Sequence, residues 1–195
     1  MIICLDMEGV LVPEIWIQVA RKTKIGELKL TTRDVPDYDV LMKRRLKILK
    51  EAGIKLSDVQ KVIAAMKPLP GARKFLEALR AQRQTIILSD TFYEFAMPLM
   101  QKLGSPTLFC NWLETDRSGF IRDYRLRQKD GKTQAVRALQ SLGFKVAAAG
   151  DSYNDLGMLK AADRGVLFNP PLKIAKEFPG FKVTRDYASL SKALL

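Results

Sequence analysis

Met1-Ile2-Ile3-Cys4-Leu5-Asp6-Met7-Glu8-Gly9-Val10 opens the chain, and its character changes at Asp6. Five apolar residues run into Asp-x-Glu-Gly, the pattern of a buried strand with two acidic side chains at its C-terminal tip. In open α/β sheets, ligands bind in the crevice beyond the strand ends. Asp6 and Glu8 are two apart, so on a continuing strand they share a face, and Gly9 permits a sharp turn behind them. Carboxylates so placed either hold a cation or divide nucleophilic attack and proton transfer between them. A solvated loop after an ordinary strand leaves the same short pattern.

A second stretch repeats the arrangement. Val146-Ala147-Ala148-Ala149-Gly150 runs into Asp151-Ser152-Tyr153-Asn154-Asp155, ahead of a helical pattern through Met158-Leu159-Lys160-Ala161. Small residues at 147–149 suit a central strand with helices pressed on both faces. Asn154 or Asp155 also suits a helix cap. Two acidic strand tips in one small chain suggest a shared site for a hard cation, and Mg²⁺ takes oxygen ligands with water and phosphate completing its shell. Between them, Thr85-Ile86-Ile87-Leu88-Ser89-Asp90-Thr91 reads as a third strand ending in a hydroxyl, with a helix beginning at Phe92. Ser89 with the N–H groups behind it forms a phosphate cradle or, equally, a helix cap. Gln128-Lys129-Asp130-Gly131-Lys132 precedes a helix carrying Val136, Leu139 and Leu142. A lysine there can neutralise phosphate, though one loop lysine in so basic a protein says little.

The chain has 195 residues, enough for one moderate domain with a small insertion. Alternating strands and helices predict a three-layer α/β fold around a parallel, Rossmann-like sheet. Residues 14–22, 38–51 and 56–66 read as helices, and Pro68-Leu69-Pro70-Gly71 closes that block. Core helices are expected over 72–82, 93–103, 132–142 and 154–161. Residues 109–113 and 121–126 read as a strand and an antiparallel hairpin partner, with a late strand over 165–168. Trp16, Trp112 and the methionines are expected to pack rather than to contact ligand.

Composition narrows the chemistry. The sequence contains no histidine, which excludes His-based triads, imidazole zinc sites and phosphohistidine intermediates. Cys4 and Cys110 lie far apart in apolar segments and give neither a disulfide framework nor metal-site spacing. No apolar run approaches the roughly 20 residues of a membrane span, and the N-terminal run lacks a basic leader, so a cytoplasmic protein is expected. The formal charge is +12, suited to steering anionic substrates or to weak adhesion to polyanions. Basic residues are dispersed, apart from Lys43-Arg44-Arg45, and do not interleave with aromatics as a stacking platform requires. Specific nucleic-acid binding is therefore not expected.

Taken in order, the acidic pair, Ser89, the lysine and Gly150-Asp151-x-x-x-Asp155 resemble the haloacid dehalogenase superfamily over nearly the whole chain. Within it, Asp6-Met7-Glu8-Gly9-Val10-Leu11-Val12-Pro13-Glu14, Ser89-Asp90-Thr91-Phe92-Tyr93-Glu94 and Gly150–Asp155 resemble the bifunctional phosphoserine phosphatase/homoserine phosphotransferase group. Glu8 stands where the superfamily usually has Asp, a departure that this group shares. The resemblance implies a catalytic core of residues 1–13 and 71–195 with a helical cap, 14–70, inserted after the first strand. It implies Mg²⁺-dependent hydrolysis of phosphoserine through an aspartyl phosphate on Asp6, with homoserine as a further phosphoryl acceptor.

By the same resemblance Glu8 is the general acid and then the base, with its backbone carbonyl facing the metal. Lys132 neutralises phosphate and orients Asp6, with Lys129 as the alternative. Ser89, Asp90 and Thr91 border the substrate, and Ser89 holds phosphate oxygens. Asp6 and Asp151 ligate Mg²⁺, supported by Asn154 and Asp155. Glu14 and Arg45 read the amino and carboxylate groups of the substrate. The extra methylene of Glu8 is expected to alter water positioning and leave time for an alcohol to intercept the phosphoenzyme. A monomer or homodimer is expected. Two other readings stay open: a phosphatase of another small ester, and a basic binding protein on the same scaffold without catalysis.

Overall fold

The apolar opening run forms β1 (Ile2–Leu5), buried along its whole length. Its side chains alternate between two cores: Ile3 and Leu5 face one, Ile2 and Cys4 the other. A strand covered on both faces belongs at the centre of a three-layer structure. A computed structural model describes residues 1–31, 34–35 and 37–195. Among them, seven strands form one sheet in the order β4-β3-β2-β1-β5-β6-β7.

The remaining strands are β2 (Gln84–Phe92), β3 (Thr107–Thr115), β4 (Ile121–Arg125), β5 (Val146–Gly150), β6 (Arg164–Phe168) and β7 (Lys182–Thr184). All neighbours run parallel except β3 and β4, which form the expected antiparallel hairpin at one edge. Leu5 is in register with Ile87 on one side and Ala149 on the other. The tips of β1, β2 and β5 therefore meet at one edge. The Asp6 N–H still donates to the Ala149 carbonyl at 2.9 Å, so the first acidic residue leaves the sheet beside the strand that delivers Asp151.

Between β1 and β2 lie α1 (Ile15–Thr23), α2 (Tyr38–Glu51), α3 (Leu56–Ala65) and α4 (Ala72–Arg80). The first three match the expected helical block. Asp37 caps α2 by accepting from the Val40 N–H, the ordinary use of a short acidic side chain at a helix start. The block is tied to the hairpin: the Leu56 N–H donates to the Gly119 carbonyl at 3.0 Å and the Tyr124 hydroxyl to Asp39 at 2.7 Å. After β2 come α5 (Tyr93–Lys102), α6 (Gly131–Ser141), α7 (Leu156–Ala161), α8 (Leu172–Glu177) and α9 (Tyr187–Leu194). Side chains of α4, α5 and α9 pack in the Leu5 core, and those of α6, α7 and α8 in the Cys4 core.

Several expectations need correction. β2 does not stop at Ser89 but continues to Phe92, directly ahead of α5, which begins at Tyr93 as the expected 93–103 helix does. The β2–β3 register slips between Leu88 and Phe92, a bulge that re-aims the intervening side chains. The helix expected over 154–161 divides into a 3-10 turn, Tyr153–Asp155, and α7. Trp16 is packed as expected, edge-on to Phe95, whereas Trp112 is exposed and stacks on Tyr93. Both cysteines are buried and unpaired. Among the described residues no helix is long and apolar enough to cross a membrane.

Candidate active site

Asp6 sits at the tip of β1, almost fully buried. Lys132, in the first turn of α6, reaches it across the sheet edge, with Nζ 2.8 Å from Asp6 Oδ1 and 2.7 Å from Asp155 Oδ1. Burial works against the charged lysine, but Asp155, Asp6 and Asp90 more than offset it and hold its pKa well above the ordinary value. Lys129, the alternative, is exposed at the rim. Asp155 has no exposure and is spent inside the protein: its Oδ2 accepts from the Asp151 and Ser152 N–H groups at 2.9 and 3.1 Å. It thus shapes the loop that presents Asp151.

Carboxylate oxygens of Asp6, Asp151 and Asp155 lie within 4.8 Å of one another. Burial first, then Asp155, pushes the Asp6 carboxyl well above the usual carboxylate range, against the pull of Lys132. Three carboxylates beside one lysine, which pairs with Asp6 and Asp155, leave excess negative charge that a divalent cation would neutralise. Gly9, at φ +76°, presses its α-carbon so closely on Asp151 that any side chain there would overlap the carboxyl group. The donors are all oxygen, as a hard cation requires. The group therefore suits a divalent metal.

Glu8 turns the other way. Its Oε2 accepts the Ile15 N–H at the start of α1, 2.7 Å away, so it lies on the side of the helical block. Burial, followed by the neighbouring Glu14, raises its pKa to about 8. Arg45 of α2 lines the same cavity. Its guanidinium lies 4.5 Å from the Trp16 ring centroid, and NH2 donates to the Leu30 carbonyl at 2.6 Å. Burial lowers its pKa to about 10, and Tyr38, Glu8 and Glu14 oppose the shift. Arg45 is therefore charged at neutral pH, and its buried Nε has no hydrogen-bond partner among the described residues. A cavity of about 300 Å³ collects Asp6 and Lys132 with Glu8, Glu14 and Arg45, together with Asp151 and Asn154.

Ser89, Asp90 and Thr91 line this cavity from the β2 bulge. Ser89 caps no helix, and its Oγ accepts from the Thr91 N–H at 3.3 Å. The Asp90 carboxylate accepts from Asn154 Nδ2 at 2.9 Å and lies 3.5 Å from Lys132 Nζ. Asp90 therefore braces Asn154 and the lysine.

Two further residues escaped the sequence reading. Tyr38 donates its hydroxyl to the Asp90 carbonyl at 3.1 Å, joining α2 to the bulge. Asn111 donates to that carbonyl at 3.0 Å and accepts the Arg127 N–H. The signal for Asn111 was available, a lone amide inside the apolar run Phe109-Cys110-Asn111-Trp112-Leu113. Tyr38 carried no comparable mark.

Chemically, the site pairs a buried carboxylate with a lysine beside an oxygen-rich metal locus, and faces them with one acidic and one basic side chain. The chain is similar to characterised proteins along its full length. Phosphoserine phosphatase ThrH of Pseudomonas aeruginosa is 57% identical over 194 residues, covering 100% of this chain and 95% of that protein. A phosphoserine phosphatase of Pseudomonas syringae pv. tomato is 55% identical over 194 residues, covering 100% of this chain and 82% of that protein. A crystal structure of phosphoserine phosphatase in apo form superposes with a TM-score of 0.80 at 21% identity, covering 100% of this chain and 98% of that one. The haloacid dehalogenase-like hydrolase model matches residues 1–163, and the chain belongs to that family.

Proposed function

We propose that this protein is a Mg²⁺-dependent phosphatase of L-phosphoserine that works through an aspartyl phosphate on Asp6. The observation that carries the reading is the single cavity with Asp6 and Lys132 at one end and Glu14 and Arg45 lining it from the helical segment. Its volume of about 300 Å³ suits a phosphorylated amino acid. Arg45 complements the substrate carboxylate and Glu14 its ammonium. Residues 14–70 act as the cap over a core of 1–13 and 71–195, and the cytoplasm is the setting this reading carries.

Asp6 and Asp151 would hold Mg²⁺, with the Glu8 backbone carbonyl beside them and Asn154 and Asp155 supporting the loop. The bound ion supplies charge neutralisation for a dianionic phosphate facing an anionic nucleophile. Lys132 provides the same compensation from the protein and fixes the Asp6 carboxylate. An Asp6 oxygen attacks phosphorus as the serine ester oxygen leaves, and Glu8 gives that oxygen its proton. Ser89, with Thr91 beside it, binds the phosphate oxygens, while Asp90 keeps Asn154 and Lys132 in place. Water then surrenders a proton to Glu8 and attacks phosphorus, breaking the bond to Asp6 and releasing phosphate. General acid–base catalysis of this kind contributes roughly 10²–10⁴-fold. Glu8 suits both halves because its pKa of about 8 keeps the acid form populated at neutral pH.

Homoserine is the further acceptor proposed, entering where serine has left. Phosphorus NMR of purified protein with Mg²⁺, phosphoserine and excess homoserine tests both activities, with Asp6→Asn and EDTA controls. Inorganic phosphate plus phosphohomoserine supports both. Phosphate alone removes the transferase, and no Asp6-dependent product removes the phosphatase.

A further inference from the structure

A second, larger cleft opens on the other side of the β2 tip. It encloses about 690 Å³ and shares a wall of Tyr38, Ser89, Asp90, Lys132, Tyr153 and Asn154 with the smaller cavity. Its lining comes from the β2 and β3 tips, the 126–132 segment, the 3-10 turn at 153–154 and the start of α8; from the helical block only Tyr38 contributes. Phe109, Leu126 and Ile174 supply apolar surface, and the Arg127 guanidinium lies 4.4 Å from the Phe109 ring centroid. The Arg127 backbone is fixed by the Asn111 side chain at 3.0 Å. Arg and ring thus form a flat platform anchored to the sheet.

The charges around this platform are unbalanced. Four cationic side chains and two carboxylates line the cleft. Lys132 is engaged by Asp6 and Asp155, and Asp90 by Asn154. Asp130 Oδ1 lies beside Gly157 at the start of α7. Among the described residues Arg127 and Lys129 have no carboxylate in ion-pair contact, while Lys173 approaches Glu177 only at 3.9 Å and at the exposed surface. A cation stacked on an aromatic ring, beside apolar walls and without an acidic partner, complements an anion carried on a flat apolar body.

We propose that this cleft is a second binding site, for a small aromatic organic anion. The acid group pairs with Arg127 and Lys173, and the ring lies against Leu126 and the Phe109 platform. The cleft adjoins the cavity holding Glu14 and Arg45, but Phe109, Leu126, Arg127 and Lys173 line the larger cleft alone, so the proposal stands whether or not the phosphatase reading does. Its shared wall makes it a route by which an occupant modulates the neighbouring site, each ligand changing the other's affinity by the same factor.

The probe is anilinonaphthalene sulfonate, an aromatic sulfonate, titrated by fluorescence and calorimetry into the full chain. The expected result is one site per chain, weakened about tenfold or more by Arg127→Ala and again by Lys173→Ala, as loss of a charge-assisted contact predicts. Leu126→Asp, at an exposed position, is expected to abolish binding, and Arg45→Ala to leave it unchanged. An intact near-ultraviolet dichroism spectrum for each variant keeps folding out of the comparison. Binding that ignores Arg127→Ala and Leu126→Asp, binding lost in Arg45→Ala, or no saturable binding overturns the proposal.

Discussion

Lys132 Nζ lies 2.8 Å from Asp6 Oδ1, although 126 residues separate the two in sequence. The packing of α6 against the sheet brings them together, because Ala135 and Val136 dock in the Cys4 core and set the first turn of α6 at the tip of β1. Both side chains are nearly inaccessible, so the charge of each depends on the other and on Asp155. Lys132→Met should lower phosphoserine turnover by roughly 10²–10³-fold, as loss of one electrostatic stabiliser does. In EDTA it should also cost roughly 3–5 kcal/mol in urea unfolding, since breaking a buried pair strands its partner. Lys129→Met should change neither quantity appreciably. Equal losses in the two variants would return the role to the 128–132 loop as a whole.

Gly9 and Asp151 give a second test. The glycine holds φ +76° and leaves no room for a methyl group against the Asp151 carboxyl. Gly9→Ala should displace that carboxylate without opening the core. Disturbing a metal site's support typically costs roughly 10–100-fold in metal affinity or activity. The Mg²⁺ concentration giving half-maximal turnover should rise by that factor, with maximal turnover partly recovered at high Mg²⁺. An unchanged Mg²⁺ requirement would place the metal elsewhere.

Much of this was written in the sequence because buried strands rarely end in carboxylates without a reason. Asp6 and Asp151 announced themselves by contrast with the apolar runs before them, and three apolar runs located the strands. What escaped was made by tertiary pairing. The residues from Ser89 to Phe92 remain in the sheet because β3 offers a bulged partner, which no local pattern reveals. Beyond Asn169, β7 and α8 are too short to display a period, with three residues, two of them exposed, and six; α9, with eight, also went unread. Tyr38 resembles any half-buried tyrosine until α2 docks over Asp90, and the larger cleft exists only where several loops converge.

Arg45 provides the test of substrate reading. Its charge is held over Trp16 and beside Glu8 and Glu14, with Nε unsatisfied among the described residues. Arg45→Ala should reduce kcat/KM for phosphoserine about 10–100-fold, the range for one charge-assisted contact. An alkyl phosphate without amino or carboxylate groups should be hydrolysed nearly as before. Equal losses for both esters would make Arg45 a structural support for the cavity.

Glu14 bears on the proton carried by Glu8. Burial and the Glu14 charge together hold the Glu8 pKa at about 8, above an ordinary value of 4.5. Release of an alkoxide requires protonated Glu8, so kcat/KM should fall as pH rises through about 8. Glu14→Gln removes a negative neighbour, favours ionised Glu8 and should move this alkaline limb to lower pH. Burial remains, so the limb should stay above the ordinary glutamate range. The alkyl phosphate is the proper substrate for this profile, because it has no ammonium for Glu14 to bind. Stability should report the same linkage. Between 4.5 and about 8 the folded state retains a proton that the unfolded chain has lost, so Glu8's contribution to stability declines as pH rises through that window. The decline should be smaller in Glu14→Gln and smaller still in Glu8→Gln, where the part due to the raised Asp6 carboxyl remains. A limb that persists in Glu8→Gln would assign the proton to another group.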